Sequence, residues 1–292
     1  MLPPPASLVP LVRQALAAQG DDSPVRTARR VTGGYESHSF RVTTGRGSYF
    51  VKWSPTGRFE RERRGLGLIE RTGTVRVPRV LAARDAVDGA PGFLVQEWLD
   101  PPRGDPFAQR TGGQLGEALA RLHLAVSPIA GYRTDPDEAP CADWVTCYRE
   151  RCLWPAIERA ERRGRMPAAR RAALERLIGR LDGLLGGVER KPSLLHGDFH
   201  RGNVLCARGG ELVVIDPHPW VGDREAELAQ TEWQFRFPPR FYEAYEATYP
   251  SAPGRAERRD LYLVWHALRS GDERRAAAVD GLIRWYIGGN VA

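Results

Sequence analysis

The chain has 292 residues, 42% of them hydrophobic and 27% charged, with a formal net charge of +7. This length suits two lobes of one enzyme or two small domains, and the composition is that of an ordinary soluble globular protein with no apolar run of the roughly 18–20 residues a membrane span needs. The positive charge does not point to nucleic acid, because arginines alternate with glutamates, as in Arg58–Arg64 and Glu158–Arg165, in the manner of solvated helix faces with partners at helical spacing.

From the N-terminus, no basic segment precedes the first apolar stretch, so the secretory-signal pattern is missing. Ser7–Ala18 reads as an amphipathic helix. Val25–Val31, Ser39–Thr43 and Ser48–Trp53 read as short strands, with turns at Gly33-Gly34 and Gly45-Arg46-Gly47. A helix over Phe59–Arg71 and strands at Val80–Ala83 and Phe93–Trp98 follow. Residues 1–99 are thus expected to form a small, mostly antiparallel sheet with one internal helix. Asp100–Asp105 is rich in proline and glycine and reads as a linker. Residues 100–292 are mainly helical in pattern: Leu115–Val126, Cys141–Arg163, Pro167–Leu185, Pro238–Tyr249, Ala256–Arg269 and Glu273–Tyr286. A hairpin around Val204 and Val213 turns through Gly209-Gly210. The four cysteines, Cys141, Cys147, Cys152 and Cys206, match no zinc spacing and read as reduced thiols of a cytoplasmic protein. The expected fold class is α+β, a bilobal chain with a sheet-rich N-lobe and a larger helical C-lobe.

The segment Leu194-Leu195-His196-Gly197-Asp198-Phe199-His200-Arg201-Gly202-Asn203-Val204-Leu205, followed by Val213-Val214-Ile215-Asp216, carries the chemistry. An aspartate on a loop, an asparagine five positions on and an aspartate closing an apolar strand form a phosphoryl-transfer arrangement: Asp198 accepts the proton of an attacking hydroxyl, while Asn203 and Asp216 hold a metal ion bridging nucleotide phosphates. Mg²⁺, which takes oxygen ligands and few protein groups, suits that pair. His196 reads as a loop brace. The pattern places the fold among protein-kinase-like enzymes that use ATP.

Only Lys52 and Lys191 are lysines in a chain with 43 basic residues. A sequence that otherwise uses arginine keeps lysine where a compact point charge is needed, and Lys52, on a strand, is the candidate for phosphate contact. Its partner would come from the next helix, which offers Glu60, Glu62 and Glu70; Glu62, in the first turns, is preferred. Gly33 and Gly34 lie ahead of that strand, where glycines let backbone N–H groups approach phosphates, although an ordinary hairpin turn would use them too. Gln96, Glu97 and Trp98 stand before the linker, where a hinge would offer backbone groups to adenine.

On these residues the chain resembles the aminoglycoside phosphotransferase and choline kinase branch of kinase-like folds. Gly222-Asp223-Arg224-Glu225-Ala226-Glu227-Leu228-Ala229, Phe237-Pro238-Pro239-Arg240-Phe241-Tyr242-Glu243-Ala244-Tyr245 and the stretch Gly73–Val80 narrow the resemblance to the fructosamine-3-kinases, from about Gly33 to beyond Tyr262. That resemblance implies an ATP- and Mg²⁺-dependent kinase for the 3-hydroxyl of ketoamines such as fructosamine or ribulosamine, with a part in protein deglycation. It implies Asp198 as base, Asn203 and Asp216 as metal ligands, and Lys52 with Glu62 on the phosphates. The chain departs from the family's L-W-S-G-N at His200 and Arg201, and has Pro217-His218-Pro219-Trp220-Val221 after Asp216; these departures bear on the sugar rather than the chemistry. The glycine-rich loop lacks the cysteine of many relatives, so no thiol switch is expected there. His200, Trp220, Asp223 and Trp233 are candidate substrate contacts, the tryptophans as a wall or cation–π face and Asp223, with Glu225 and Glu227, as negative charge near a cationic amine. For Glu225 and Glu227 a salt bridge to a structural arginine is the stronger reading. The competing functions are a kinase for another small alcohol, of aminoglycoside or choline type, and a nucleotide-binding scaffold without turnover, against which the intact set of Lys52, Asp198, Asn203 and Asp216 speaks.

Overall fold

In the computed structural model the described residues are 8–31, 38–100, 107–125, 127–207, 209–233, 236–270 and 273–288. In chain order they form α1 (Leu8–Ala18), β1 (Thr27–Arg30), β2 (His38–Thr43), β3 (Ser48–Ser54), α2 (Phe59–Glu70), β4 (Val80–Arg84) and β5 (Gly92–Glu97). Next come α3 (Gln109–Leu124), α4 (Trp144–Cys147), a π-helical turn (Tyr148–Leu153), α5 (Trp154–Arg162), α6 (Ala168–Ile178) and α7 (Leu181–Leu185). The rest is β6 (Ser193–Leu195), a 3₁₀ turn (Arg201–Asn203), β7 (Val204–Cys206), β8 (Leu212–Val214), β9 (Trp220–Gly222), α8 (Arg224–Trp233), α9 (Pro239–Thr248), α10 (Arg255–Ser270) and α11 (Glu273–Ile287).

The chain divides into two compact units: Met1–Pro106 with Asn203–Pro217, and Phe107–Gly202 with His218–Ala292. The hairpin that follows Asn203 therefore groups with the first unit, although it lies far along the C-terminal stretch of sequence.

In the first unit the strands make one antiparallel sheet in the order β1-β2-β3-β5-β4. Side chains alternate across such a sheet. Val51 and Trp53 of β3 are buried in a core with Leu8, Val12 and Leu16 of α1 and Val95 of β5. Lys52, between them in sequence, projects from the opposite face, where it meets α2 through Glu62. The short hairpin β7–β8 pairs Val204 with Val214 and Cys206 with Leu212, and Val214 N–H donates to the Arg76 carbonyl at 2.9 Å.

In the second unit α3 crosses α9 closely enough that a Cβ at Gly116 would strike the Phe241 backbone. An aromatic core of Trp144, Tyr148, Trp220, Tyr262 and Trp265 lies among the helices. The two-stranded pair β6–β9 sits in this unit, with Leu195 opposite Trp220. The sequence pattern did not suggest β6, β9 or α8. Three-residue strands are too short to show alternation, and α8 is buried on every side from Arg224 to Thr231, which removes the apolar stripe by which an amphipathic helix is read.

One expectation is corrected. Cys141 and Cys147 form a disulfide with Cα atoms 5.4 Å apart, while Cys152 and Cys206 are free and buried. The loop ahead of α4 turns back so that residues six apart meet, an approach that cysteine spacing alone does not encode. Burial pushes the Cys152 thiol up to about 12, so it stays protonated and unreactive.

Candidate active site

In the first unit Lys52 Nζ lies 3.1 Å from Glu62 Oε2 and is also paired with Asp216 Oδ1. Glu60 instead holds Arg63, at 2.7 Å. Burial works against the lysine charge, but the carboxylates of Glu62 and Asp216 outweigh it and raise the Lys52 pKa above the ordinary value. Burial pushes Glu62 up to about 7, with Lys52 pulling the other way. Lys52 is thus a fixed cation in a low-dielectric seat, the property needed to hold phosphate oxygens.

Asp216 has φ of +54°. That left-handed conformation is uncommon outside glycine, with Asp and Asn the residues that best tolerate it, and it turns the chain sharply at the end of the hairpin. Asn203 is 7% exposed, and its carbonyl accepts the Ile215 N–H at 3.0 Å, so both oxygen-bearing side chains are carried by one hairpin. An amide oxygen and a carboxylate are the hard donors that Mg²⁺ takes, and a pair of protein ligands leaves positions for phosphates and water. The residues present therefore fit that ion.

Gln96 is buried. The Glu97 carboxylate accepts both 3.1 Å bonds from Arg76 Nη2 and one of 2.9 Å from Arg79 N–H. The Glu97 N–H donates to the Arg79 carbonyl at 3.0 Å, so this donor of the expected hinge serves the fold. Trp98 lies under Arg41, whose guanidinium carbon is 4.6 Å from the ring centroid. Gly33 and Gly34 lie outside the described residues.

The second unit carries Asp198. Asp198 follows β6 on a loop shaped by Gly197, whose φ is +83° and whose missing Cβ leaves room for the His218 carbonyl. His196 is fully buried; its carbonyl accepts the His218 N–H at 2.9 Å, and its Nδ1 accepts the Asp198 N–H at 3.3 Å. The Asp198 carboxylate is held at both oxygens: Gln230 Nε2 donates to Oδ1 at 2.9 Å, and His200 Nε2 is 3.4 Å from Oδ2. Burial would raise the Asp198 pKa, but the donors on His200 and Gln230 hold it well below the usual carboxylate range. Asp198 is therefore ionised and able to accept a proton throughout the neutral range.

Glu227 braces this loop from below. Its carboxylate accepts the N–H of His196 at 3.0 Å and of Gly197 at 2.6 Å, and His123 Nε2 lies 3.0 Å away. The other ring nitrogen of His123 meets the Tyr245 hydroxyl at 2.7 Å. Burial raises the Glu227 pKa, and the His123 contact with the backbone N–H groups more than reverses this. Glu227→Gln would turn an amide N–H₂ against a backbone donor. It is expected to lower the melting temperature by about 3–8 °C, on a scale of 1–3 kcal/mol for an unsatisfied buried group, and to reduce kcat; scanning calorimetry with steady-state rates checks both.

Two candidate substrate contacts, Trp220 and Asp223, are corrected. Trp220 is 5% exposed and stacks on Trp144 with centroids 5.7 Å apart; the pairing of β9 with β6 carries it into the core. Asp223 is 4% exposed, bonded to Arg190 Nε at 2.6 Å and to the Tyr262 hydroxyl at 2.7 Å. It also caps α8 by accepting the Glu225 N–H at 2.9 Å. Trp233 is half-buried and packs against the aromatic core. Glu225 is matched by Arg258 through bonds of 2.7 and 2.8 Å, as the salt-bridge reading of that residue has it. Glu227 faces His123 and the loop backbone instead of an arginine. His200 turns toward Asp198. Gln230 and Glu227 were missed as parts of the surroundings of Asp198; the signal was their i, i+3 spacing on one helix, which places them on one face.

A family model described as fructosamine kinase matches residues 9–272. The chain belongs to the fructosamine kinase family. It is 31% identical over 276 residues to a Synechocystis protein assigned as a ketoamine kinase, covering 90% of each chain. It is 31% identical over 273 residues to the chloroplastic protein-ribulosamine 3-kinase of Oryza sativa subsp. indica, covering 88% of this chain and 77% of that one. A solved Thermobifida fusca protein assigned as a fructosamine-3-kinase superposes with a TM-score of 0.76 at 28% identity, over 91% of this chain and 95% of that one. Aminoglycoside phosphotransferase APH(4)-Ia shares the fold, with a TM-score of 0.68 at 16% identity over 97% of this chain and 100% of that one. The protein is thus a kinase with the α+β, protein-kinase-like fold, a sheet-bearing unit and a largely helical one. Among the described residues no helix of this kinase is long and apolar enough to cross a membrane.

Proposed function

We propose that this kinase transfers the γ-phosphoryl group of ATP to the 3-hydroxyl of a ketoamine, a fructosamine or ribulosamine borne by an amino acid or a protein. The observation that carries the reading is the Asp198 carboxylate, ionised and held at both oxygens by Gln230 and His200, in a chain whose relatives include a protein-ribulosamine 3-kinase. Lys52, braced by Glu62, takes nucleotide phosphate oxygens. Asn203 and Asp216 would hold Mg²⁺, which when bound neutralises charge on the phosphates. Asp198 orients the acceptor hydroxyl and takes its proton as the oxygen–phosphorus bond forms. A phosphate at C3 leaves more readily than a hydroxyl once the neighbouring C2 carbonyl enolises toward C1, and hydrolysis then frees the amine; this is the link to deglycation. We place the reaction in the cytoplasm, where ATP and glycated proteins meet.

The acceptor amine is not recognised by Asp223, Glu225 or Glu227, each already matched within the second unit. Incubation of purified protein with Mg-ATP and fructosyl- or ribulosyl-lysine, free and within a peptide, tests the reading by ³¹P NMR. A new phosphate ester at C3 is expected. Transfer to an aminoglycoside or amino alcohol, with none to either ketoamine, would overturn it.

A further inference from the structure

His200 leaves the loop two residues after Asp198 and makes a polar contact through each ring nitrogen. Nδ1 accepts the Gly202 N–H at 3.0 Å. An accepting Nδ1 places the ring proton of a neutral imidazole on Nε2, and Nε2 is the atom 3.4 Å from Asp198 Oδ2. The ring therefore presents a donor to the carboxylate, with its tautomer set by a backbone N–H of the same loop. Gln230, from α8, donates to the other oxygen. Because the two donors address different oxygens, the carboxylate cannot turn about its Cβ–Cγ bond without losing one of them.

We propose that His200 is a positioning residue for phosphoryl transfer: with Gln230 it fixes the plane of the Asp198 carboxylate relative to the acceptor hydroxyl. It is not a relay. Nε2 already carries a proton and Nδ1 is occupied by the Gly202 N–H, so neither nitrogen is open to the proton that Asp198 collects. Nor is it a substrate contact in this geometry, since both polar atoms of the ring are engaged within the loop. The inference rests on Asp198 acting as the base.

Two amide substitutions separate the roles of the two nitrogens. The glutamine amide nitrogen reaches the place of Nε2, and the asparagine carbonyl oxygen reaches the place of Nδ1. His200→Gln thus retains the donor to Asp198, whereas His200→Asn retains only the acceptor for Gly202. His200→Ala and His200→Asn are expected to lower kcat about tenfold or more, the scale of one hydrogen bond to a charged group, with KM for ATP and the melting temperature little changed. His200→Gln is expected to recover most of the rate. An asparagine variant as active as wild type beside an impaired glutamine variant would show that the ring only braces Gly202, and would overturn the proposal. An unchanged kcat in the alanine variant, or losses that track thermal stability, would do the same. Asp198→Asn run alongside separates the premises: if it turns over normally, the base assignment itself is wrong; if it is inactive while His200→Ala keeps full rate, only the positioning role fails.

Discussion

Asp198→Asn is expected to lower kcat for phosphate transfer by about 10³-fold or more while leaving ATP binding within a few-fold of wild type. The magnitude follows from the contribution of a positioned general base, roughly 10²–10⁴, with the added loss of geometry that the amide imposes. An asparagine oxygen can still accept from Gln230, but its N–H₂ would face the His200 Nε2–H, donor against donor. Binding should survive because the lysine and the oxygen ligands assigned to the nucleotide belong to the other unit. Isothermal titration with a non-hydrolysable ATP analogue, beside steady-state rates with a ketoamine acceptor, makes the measurement. A kcat within tenfold of wild type would remove Asp198 from the role of base.

Lys52→Arg carries the second large effect. The chain has 43 basic residues and only two lysines, so arginine is the easiest substitution to imagine here and the one the site resists. Lys52 Nζ is a single compact point between Glu62 and Asp216. A guanidinium is planar and longer, so it cannot place one nitrogen in that seat without moving α2 or Asp216. We expect kcat/KM for ATP to fall about 10²-fold, equivalent to about 3 kcal/mol, with most of the loss in kcat. Lys52→Met should fall further, because it leaves the Glu62 carboxyl buried without its cation. Kinetics with ATP as the varied substrate decides the matter; a variant with unchanged kcat/KM would mean that Lys52 supports the sheet rather than the phosphates.

Much of this site was legible because its parts are local or chemically distinctive. Asp198, Asn203 and Asp216 lie within one short segment, and turn residues with an apolar strand fix their order along the backbone. Lys52 stood out by composition, and the choice of Glu62 needed only the rule that a helix following a strand offers its first turns back to it. The surroundings of Asp198 were a different matter. Gln230 and Glu227 are 32 and 30 residues from the atoms they hold at Asp198 and Gly197, and nothing local marks a glutamine or glutamate for such work. Trp220 and Asp223 were misread for the complementary reason: an aromatic or acidic residue just after a catalytic segment looks available to a ligand, until β-pairing and an N-cap turn it inward.

The sequence by itself determined the reaction class and the order of elements, because hydrophobic periodicity, turn residues and the spacing of oxygen donors act over a few residues at a time. Tertiary structure alone decided which charges were spent on the fold and which remained for chemistry. A buried charge must find a partner wherever the chain brings one, so Arg190 claimed Asp223 and Arg258 claimed Glu225. His123 and two backbone N–H groups claimed Glu227. Asp198 alone of these acids keeps a side chain 35% exposed, which is what a base must keep if a substrate is to reach it.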